Sequence, residues 1–329
     1  MVHHLRITDI SGAKIPTAAP GLPSAEPETW RSHAPDIHCM VVENDQVVAR
    51  CSLWWTSTPS LPGEKIGVVG HYAALDWSRA QLLLDQAIGH LKKAGCSLAV
   101  GPMDGNTWRR YRFVTERGPE PPFFLEPDNP ADYPEQFARN GFQSLAEYTS
   151  TLNTDLRRND DRIERARQRL ANSGVVIRDF RTNEFEAELR RIYEVSAVSF
   201  RQNYLYTPLP EDQFVGQYLR IRERVRPELV MLAEHEGKPV GYVFGIPDWL
   251  QKSRGQAFDT AILKTVAILP GKTYGGLGNV LVHEAQQRAR DLGFVRVIHA
   301  LMHSANNSRN LSGHYAETMR RYTLFSRRL

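Results

Sequence analysis

Four glycines, Gly271, Gly275, Gly276 and Gly278, stand where a β-branched apolar run from Asp259 to Leu269 gives way to helical spacing. Beyond them Val280, Leu281, Ala285, Ala289 and Leu292 fall on one helical face, and Gly293 is placed to end that helix. Glycine lets a turn aim several amides at one point, and the helix start adds the positive end of its dipole. The chemistry this favours is binding of an anion, a pyrophosphate above all. Spacing tests two known cradles. Gly271-Lys272-Thr273 imitates the end of a nucleotide-binding loop, but Val266 stands where that loop requires its first glycine. A dinucleotide fingerprint begun at Gly276 and Gly278 meets Leu281 in place of its third glycine. A plain strand-to-helix turn has the same composition.

Proton transfer has several candidate carriers near the flanking strands: Asp248, Asp259, His299 and His303. None is singled out as the base. His299 and His303 are four apart at a strand end with no third ligand beside them, so no metal site is expected.

The elements that must position these residues follow from length and patterning. The chain has 329 residues, 41% of them hydrophobic and 24% charged, which implies a folded protein of two domains. A net charge of +4 suits an anionic ligand without demanding nucleic acid. Cys39, Cys51 and Cys96 form no metal- or redox-type pair and are expected as free thiols. No apolar run reaches membrane-spanning length and the N-terminus has no signal-type apolar core, so a cytoplasmic location is expected.

From Pro16 to Pro35 the prolines exclude regular helix. A hairpin is expected across Asn44-Asp45, then a strand over 65–75 and a helix over 78–94 with Leu82, Leu83, Ala87, Ile88 and Leu91 buried. A strand over 96–100 and a short helix over 133–140 lead to Gly141-Phe142. The charged stretch Asp155 to Leu170 reads as a solvated helix joining two domains, with the boundary between 155 and 156. Then come a strand (175–180), helices over 184–200 and 211–225, a hairpin across Glu236-Gly237-Lys238, and the glycine turn with its flanking strands.

That order resembles the GNAT superfamily of N-acetyltransferases, and Thr273-Tyr274-Gly275-Gly276-Leu277-Gly278 is similar to its acyl-CoA loop, with Thr273 in place of the usual Gln or Arg. The likeness covers Val175 to Leu324 well. The first half resembles a degenerate copy, because His71 to Ser78, its strand-to-helix link, contains no glycine. The resemblance implies an α/β (α+β) fold of two tandem acyl-CoA N-acyltransferase (GNAT) domains, each a mixed, mostly antiparallel sheet flanked by helices. It implies a domain without a CoA loop at 1–155 and an acetyl-CoA-binding domain at 156–329. By the same resemblance the backbone of Val266, Ala267 and Ile268 would bond the pantetheine arm, and the amides of Gly275 to Asn279 would hold the pyrophosphate. Lys272, Thr273 and Tyr274 complete the loop. Asn306 and Tyr315 match residues after the fifth strand, Tyr315 as the acid that protonates the leaving thiolate. Acetyl-CoA is then the co-substrate and a small primary amine the acceptor, with no membrane or nucleic-acid partner expected. An aminoacyl-tRNA-dependent or long-chain acyltransferase, and a non-catalytic acyl-CoA-binding module, are the alternatives. The stretch after Ala316 suffices for about one long strand, so the closing hairpin is expected to borrow a strand from the other domain.

Overall fold

The computed structural model of the chain describes residues 4–8, 16–24, 27–157, 160–303 and 316–329. It opens with β1 (His4–Thr8) and a short helix α1 (Pro27–Ser32). β2 (Ile37–Glu43) turns into β3 (Gln46–Trp54) through Asn44 and Asp45, whose φ values of 49° and 59° are those a two-residue hairpin needs. β4 (Ile66–Ala74) and β5 (Leu98–Gly101) pair in parallel across the helix α2 (Trp77–Lys93). β6 (Phe113–Glu116), α3 (Tyr133–Arg139) and β7 (Gln143–Asn153) complete the first half.

The second half repeats the plan. After α4 (Asp161–Asn172), β8 (Val175–Asp179), α5 (Phe185–Ser199) and α6 (Glu211–Leu219), the strands β9 (Val230–His235) and β10 (Lys238–Pro247) form a hairpin. A one-turn helix α7 (Trp249–Ser253) precedes β11 (Thr260–Ile268). β11 pairs in parallel with β12 (Arg296–His303) across the helix α8 (Leu277–Asp291), and β13 (Glu317–Arg328) ends the chain. Each half is thus a mixed, mostly antiparallel sheet with helices against it.

The halves are joined edge to edge by an exchange of strands. The 13-stranded sheet runs β1-β2-β3-β4-β5-β13-β7-β12-β11-β10-β9-β8, with β6 pairing with β13 off this path. β13 lies between β5 and β7 of the first half, while β7 pairs with β12 of the second. The borrowed strand expected from the short C-terminal stretch is therefore β7. Tyr322 and Leu324 of β13 are fully buried, and buried Arg320 donates to Glu126 at 2.8 Å and to the carbonyls of Glu120 and Pro121. The expected division at 155/156 falls between β7 and α4, where a boundary would part the chain but not the sheet.

Three expectations need correction. Pro27 does not exclude a helix but starts one, because the first helical turn has no use for the missing N–H. Leu82 is 40% exposed; Leu84 takes its place in the buried face of α2 beside Leu83, Ala87, Ile88 and Leu91. The charged helix α4 is not a solvated linker. It buries Ile163 and Leu170 against the second half, and Arg167 pairs with Glu284 of α8.

The first half also buries a chain of imidazoles. His33 and His71 are linked at 2.8 Å, His71 and Ser52 at 2.8 Å, and Ser52 and His38 at 2.7 Å, with Trp30 stacked on His38. Burial pushes His38 and His71 down to about 3, helped by neighbouring charges, and His33 to about 4. All three are neutral at pH 7. On acidification below about 6.5 the unfolded chain takes up protons that the native one refuses, so stability falls as the pH drops toward those values. At pH 5 this costs about 2 kcal/mol for each of the two fully buried imidazoles. We expect Tm to fall from pH 7.5 to pH 5, and to fall less in His38→Phe. An equal fall in both proteins would show that the chain of imidazoles is not responsible.

Candidate active site

The parallel ladder of β11 and β12 stops early. Its rungs run from Thr260–Arg296 to Leu263–His299, although β11 continues to Ile268 and β12 to His303. Beyond Leu263 the two strands part, and the fork opens on a cavity of about 650 Å³. Register decides which groups face it. The Leu269 amide donates to the Val240 carbonyl, which makes Gly241–Ile268 a non-hydrogen-bonded pair with β10. By alternation the peptide groups of Val266 and Ile268 point into the fork, while those of Ala267 belong to the β10 ladder. Of the three residues expected to bond a pantetheine arm, Ala267 is therefore committed elsewhere. The Ile268 carbonyl already accepts from Ser199 Oγ at 2.7 Å.

The glycine turn stands at the end of β11. Gly276 is the N-cap of α8 with φ 84°, the left-handed conformation that suits glycine. The amides of Leu277, Gly278 and Asn279 follow in the first helical turn, where no intrahelical acceptor exists. Leu277 and Gly278 are buried, Lys272, Thr273, Gly275 and Asn279 exposed. Tyr274 turns back to place its hydroxyl 3.2 Å from His235 Nδ1. A cation that sequence reasoning missed lies here: Arg169 of α4 donates to the Gly275 carbonyl. An amide-rich turn, a left-handed glycine and two nearby cations fit a pyrophosphate. Asn306 and Tyr315 lie outside the described residues.

In the first half the equivalent fork is filled by its own chain. The Met103 amide donates to the Val69 carbonyl at 2.9 Å, and Asp104 Oδ1 accepts from the His71 amide at 2.6 Å. A Cβ on Gly70 would lie 2.0 Å from the Met103 carbonyl oxygen, so glycine is what permits the crossing. At the start of α2 the Asp76 carboxylate caps the Arg79 amide, putting a negative charge where an anion would sit.

The cavity takes walls from both halves. Its floor is Lys264, Thr265 and Val266 of β11 with His299 to His303 of β12. Aromatic rings come from Phe200, Tyr204, Tyr206 and Tyr218 around α5 and α6, and from Trp108, Tyr111 and Tyr148 of the first half. Trp108 Nε1 donates to the Thr207 carbonyl at 2.7 Å, tying the two sides together. Lys264 is the unusual titrating group. Burial lowers its ammonium to about 7, with nearby Arg112 acting the same way and Glu126 opposing, while its Nζ donates to the Leu125 carbonyl at 3.2 Å. His299 is pushed to about 4 by burial, and His303 below its ordinary value by burial and Arg112, so both are neutral at pH 7. Asp248 and Asp259 do not reach this cavity. They line a separate hollow of about 190 Å³ at the other end of the ladder, where Asp248 caps α7 and Asp259 accepts from Gln251. Lys264, the loop 107–112 and Tyr148 were not singled out from sequence; the run Trp108-Arg109-Arg110-Tyr111-Arg112 was the available signal.

A sheet forked between its parallel strands, with a glycine turn leading into the crossover helix, is the arrangement of the acyl-CoA N-acyltransferase fold. Residues 189–312 match the profile of the acetyltransferase (GNAT) family. No curated protein matches the sequence. Among solved structures the chain is similar to a GCN5-related glucosamine N-acetyltransferase region of a fungal multi-domain β-N-acetylglucosaminidase. That match has a TM-score of 0.55 at 12% identity and covers 91% of this chain but 34% of the fungal one, about a third of its length. A GCN5-related N-acetyltransferase from Sphaerobacter thermophilus gives a TM-score of 0.51 at 13% identity, covering 88% of this chain and 80% of that one. At such identities the likeness is one of fold, and it extends over both halves. Among the described residues no helix is long and apolar enough to cross a membrane, and no cluster of side chains is arranged to hold a metal.

Proposed function

We propose that the chain transfers an acetyl group from acetyl-CoA to a small primary amine, with the donor in the second half and the acceptor in the cavity between the halves. The observation that carries this reading is the fork: β11 and β12 part beyond Leu263–His299, the cavity lies against the parted strands, and the glycine turn follows the end of β11. Acetyl-CoA, when bound, supplies a thioester carbonyl as electrophile. The peptide groups of Val266 and Ile268 bind its amide-bearing arm as an added strand. The amides from Gly275 to Asn279, with Lys272 and Arg169, hold its phosphates. An ammonium must lose a proton before it attacks, and Lys264, half deprotonated near pH 7, is the base within the cavity. Tyr315 is retained as the acid for the departing thiolate. Three free, buried thiols suit a reducing compartment such as the cytoplasm.

Calorimetry should give one acetyl-CoA per chain, and a thiol assay across an amine panel should detect release of CoA. Lys264→Met should still bind acetyl-CoA yet lose about 10²- to 10⁴-fold in turnover. In the parent, kcat/KM should rise with pH through an inflection near 7, because the free amine of Lys264 is the active form. Survival of that inflection in Lys264→Met would remove the lysine from the role. Acetyl-CoA binding without thiol release over the whole panel would favour a non-catalytic module.

A further inference from the structure

The cavity holds a cation that nothing in the donor's chemistry uses. Arg112 is 6% exposed and held at φ 68°, its amide bonded to the Pro102 carbonyl at 2.9 Å. Its guanidinium carbon lies 4.1 Å from the ring centroids of both Tyr111 and Tyr148. Those rings offset the charge but offer no acceptor in the plane of the guanidinium. Accordingly, Nε and Nη1 are buried with no hydrogen-bond partner among the described residues. Buried N–H groups of a cation are rarely left so, and each such case calls for a ligand, an ion or a water. Among the described residues the only carboxylate on the wall is already engaged: Glu126 accepts from Arg320, Tyr322 and the Phe123 amide.

We propose that Arg112 reads a carboxylate on the acceptor, so that the acceptor is an amino acid, or an amine of that kind, with an apolar or aromatic body. The assignment rests on the acyl-transfer reading for the word acceptor, but the carboxylate site stands on its own geometry. Nε and Nη1 belong to different edges of the planar guanidinium, each completed by Nη2, and either edge matches the two oxygens of a carboxylate. Arg109 and Arg110 share the cavity, so polycationic amines are repelled while an anionic group is drawn in. The rest of the wall mixes aromatic and aliphatic side chains with a few polar ones such as Asn203 and Gln217, and its apolar part suits an apolar side chain. The glycine turn contributes nothing to this wall, so the donor's phosphates lie elsewhere and the arginine is left for the acceptor. Arg112 comes from the first half, which gives that half a part in substrate choice although its own fork is closed.

Matched pairs test the idea on the full-length chain: L-phenylalanine against 2-phenylethylamine, L-tryptophan against tryptamine, and L-leucine against 3-methylbutylamine, each titrated by calorimetry. At least one amino acid should bind about ten- to a hundredfold tighter than its decarboxylated partner, the range of a charge-assisted pair. Arg112→Met, which keeps the unbranched stem at the same φ, should erase the difference; Arg112→Lys should keep part of it. The comparison in the parent protein needs no variant, so a poorly folding Arg112→Met does not shelter the idea. No preference in any pair, no binding at all, or a preference that survives Arg112→Met overturns it. Acetyl-CoA affinity is measured alongside. Should acetyl-CoA fail to bind while the carboxylate preference holds, the transfer reading falls and the site remains. Should Arg112→Met instead lose acetyl-CoA with no pair distinguished in the parent, the arginine serves the donor and the proposal is wrong.

Discussion

Replacing Gly276 by valine should abolish acetyl-CoA binding and leave the circular dichroism spectrum native. The glycine holds φ at 84° at the head of α8. A β-branched residue held there costs about 1–3 kcal/mol. A Cβ at this position would also lie 3.3 Å from Ala166 Cβ and 3.4 Å from Arg169 Nη2. The valine methyls therefore press on α4 and displace the arginine that meets the turn. Valine can stay strained, or it can relax out of the left-handed region. Relaxing rotates the amides of Leu277 to Asn279 away from their common target; staying strained leaves the cation displaced. Both routes dismantle the anion cradle, whereas the strain is survivable for a chain with cores this large. Tm without ligand should drop by a few degrees, and the rise on adding acetyl-CoA should vanish. If the variant gains the parent's thermal shift from acetyl-CoA, the turn is no cradle and the acetyl-transfer reading loses its support.

Dividing the chain should have a larger effect still. Fragments 1–155 and 156–329 should each fail to unfold cooperatively when made alone. In the first, β7 loses both β13 and β12, and β5 loses its outer neighbour. In the second, β13 has no partner strand left. The pair between Arg320 and Glu126, each 1% exposed at the side chain, is also split, so neither charge can stay buried in its fragment without its partner. Tyr322 and Leu324 would add about 1.5–3 kcal/mol each on exposure. The intact chain should instead melt in a single transition. A fragment that melts cooperatively near the parent's Tm would show that its half needs no borrowed strand.

How much of this was legible beforehand differs by element. The glycine turn, the hairpins at Asn44-Asp45 and Glu236-Gly237, and the alternation in β9 and β10 are local. A positive φ, a helix start or a two-residue period is dictated by neighbours along the chain, so residue types reveal them. The fold class could be read because such elements recur in a fixed order. Strand exchange was legible only as a shortfall, a C-terminal stretch too short for a hairpin; that β7 fills the gap depends on pairing across more than a hundred residues. Leu82 and Leu84 both satisfy the helical pattern, and only the packing of α2 chose between them.

The chemistry of the cavity is almost wholly tertiary. Lys264 sits in an apolar run, Ala261-Ile262-Leu263-Lys264-Thr265-Val266, and reads there as an ordinary outward lysine. Its proton affinity drops because the fold closes β11 under a loop of the first half and sets Arg112 nearby. Asp248 and Asp259 read as bases equally well, yet they flank the closed end of the ladder. Ala267 shares its neighbours' composition but spends its peptide groups on β10, a fact of register alone. Backbone conformation is a short-range quantity that adjacent residues determine, whereas desolvation and electrostatic potential at one side chain are set by groups the fold brings from far along the chain.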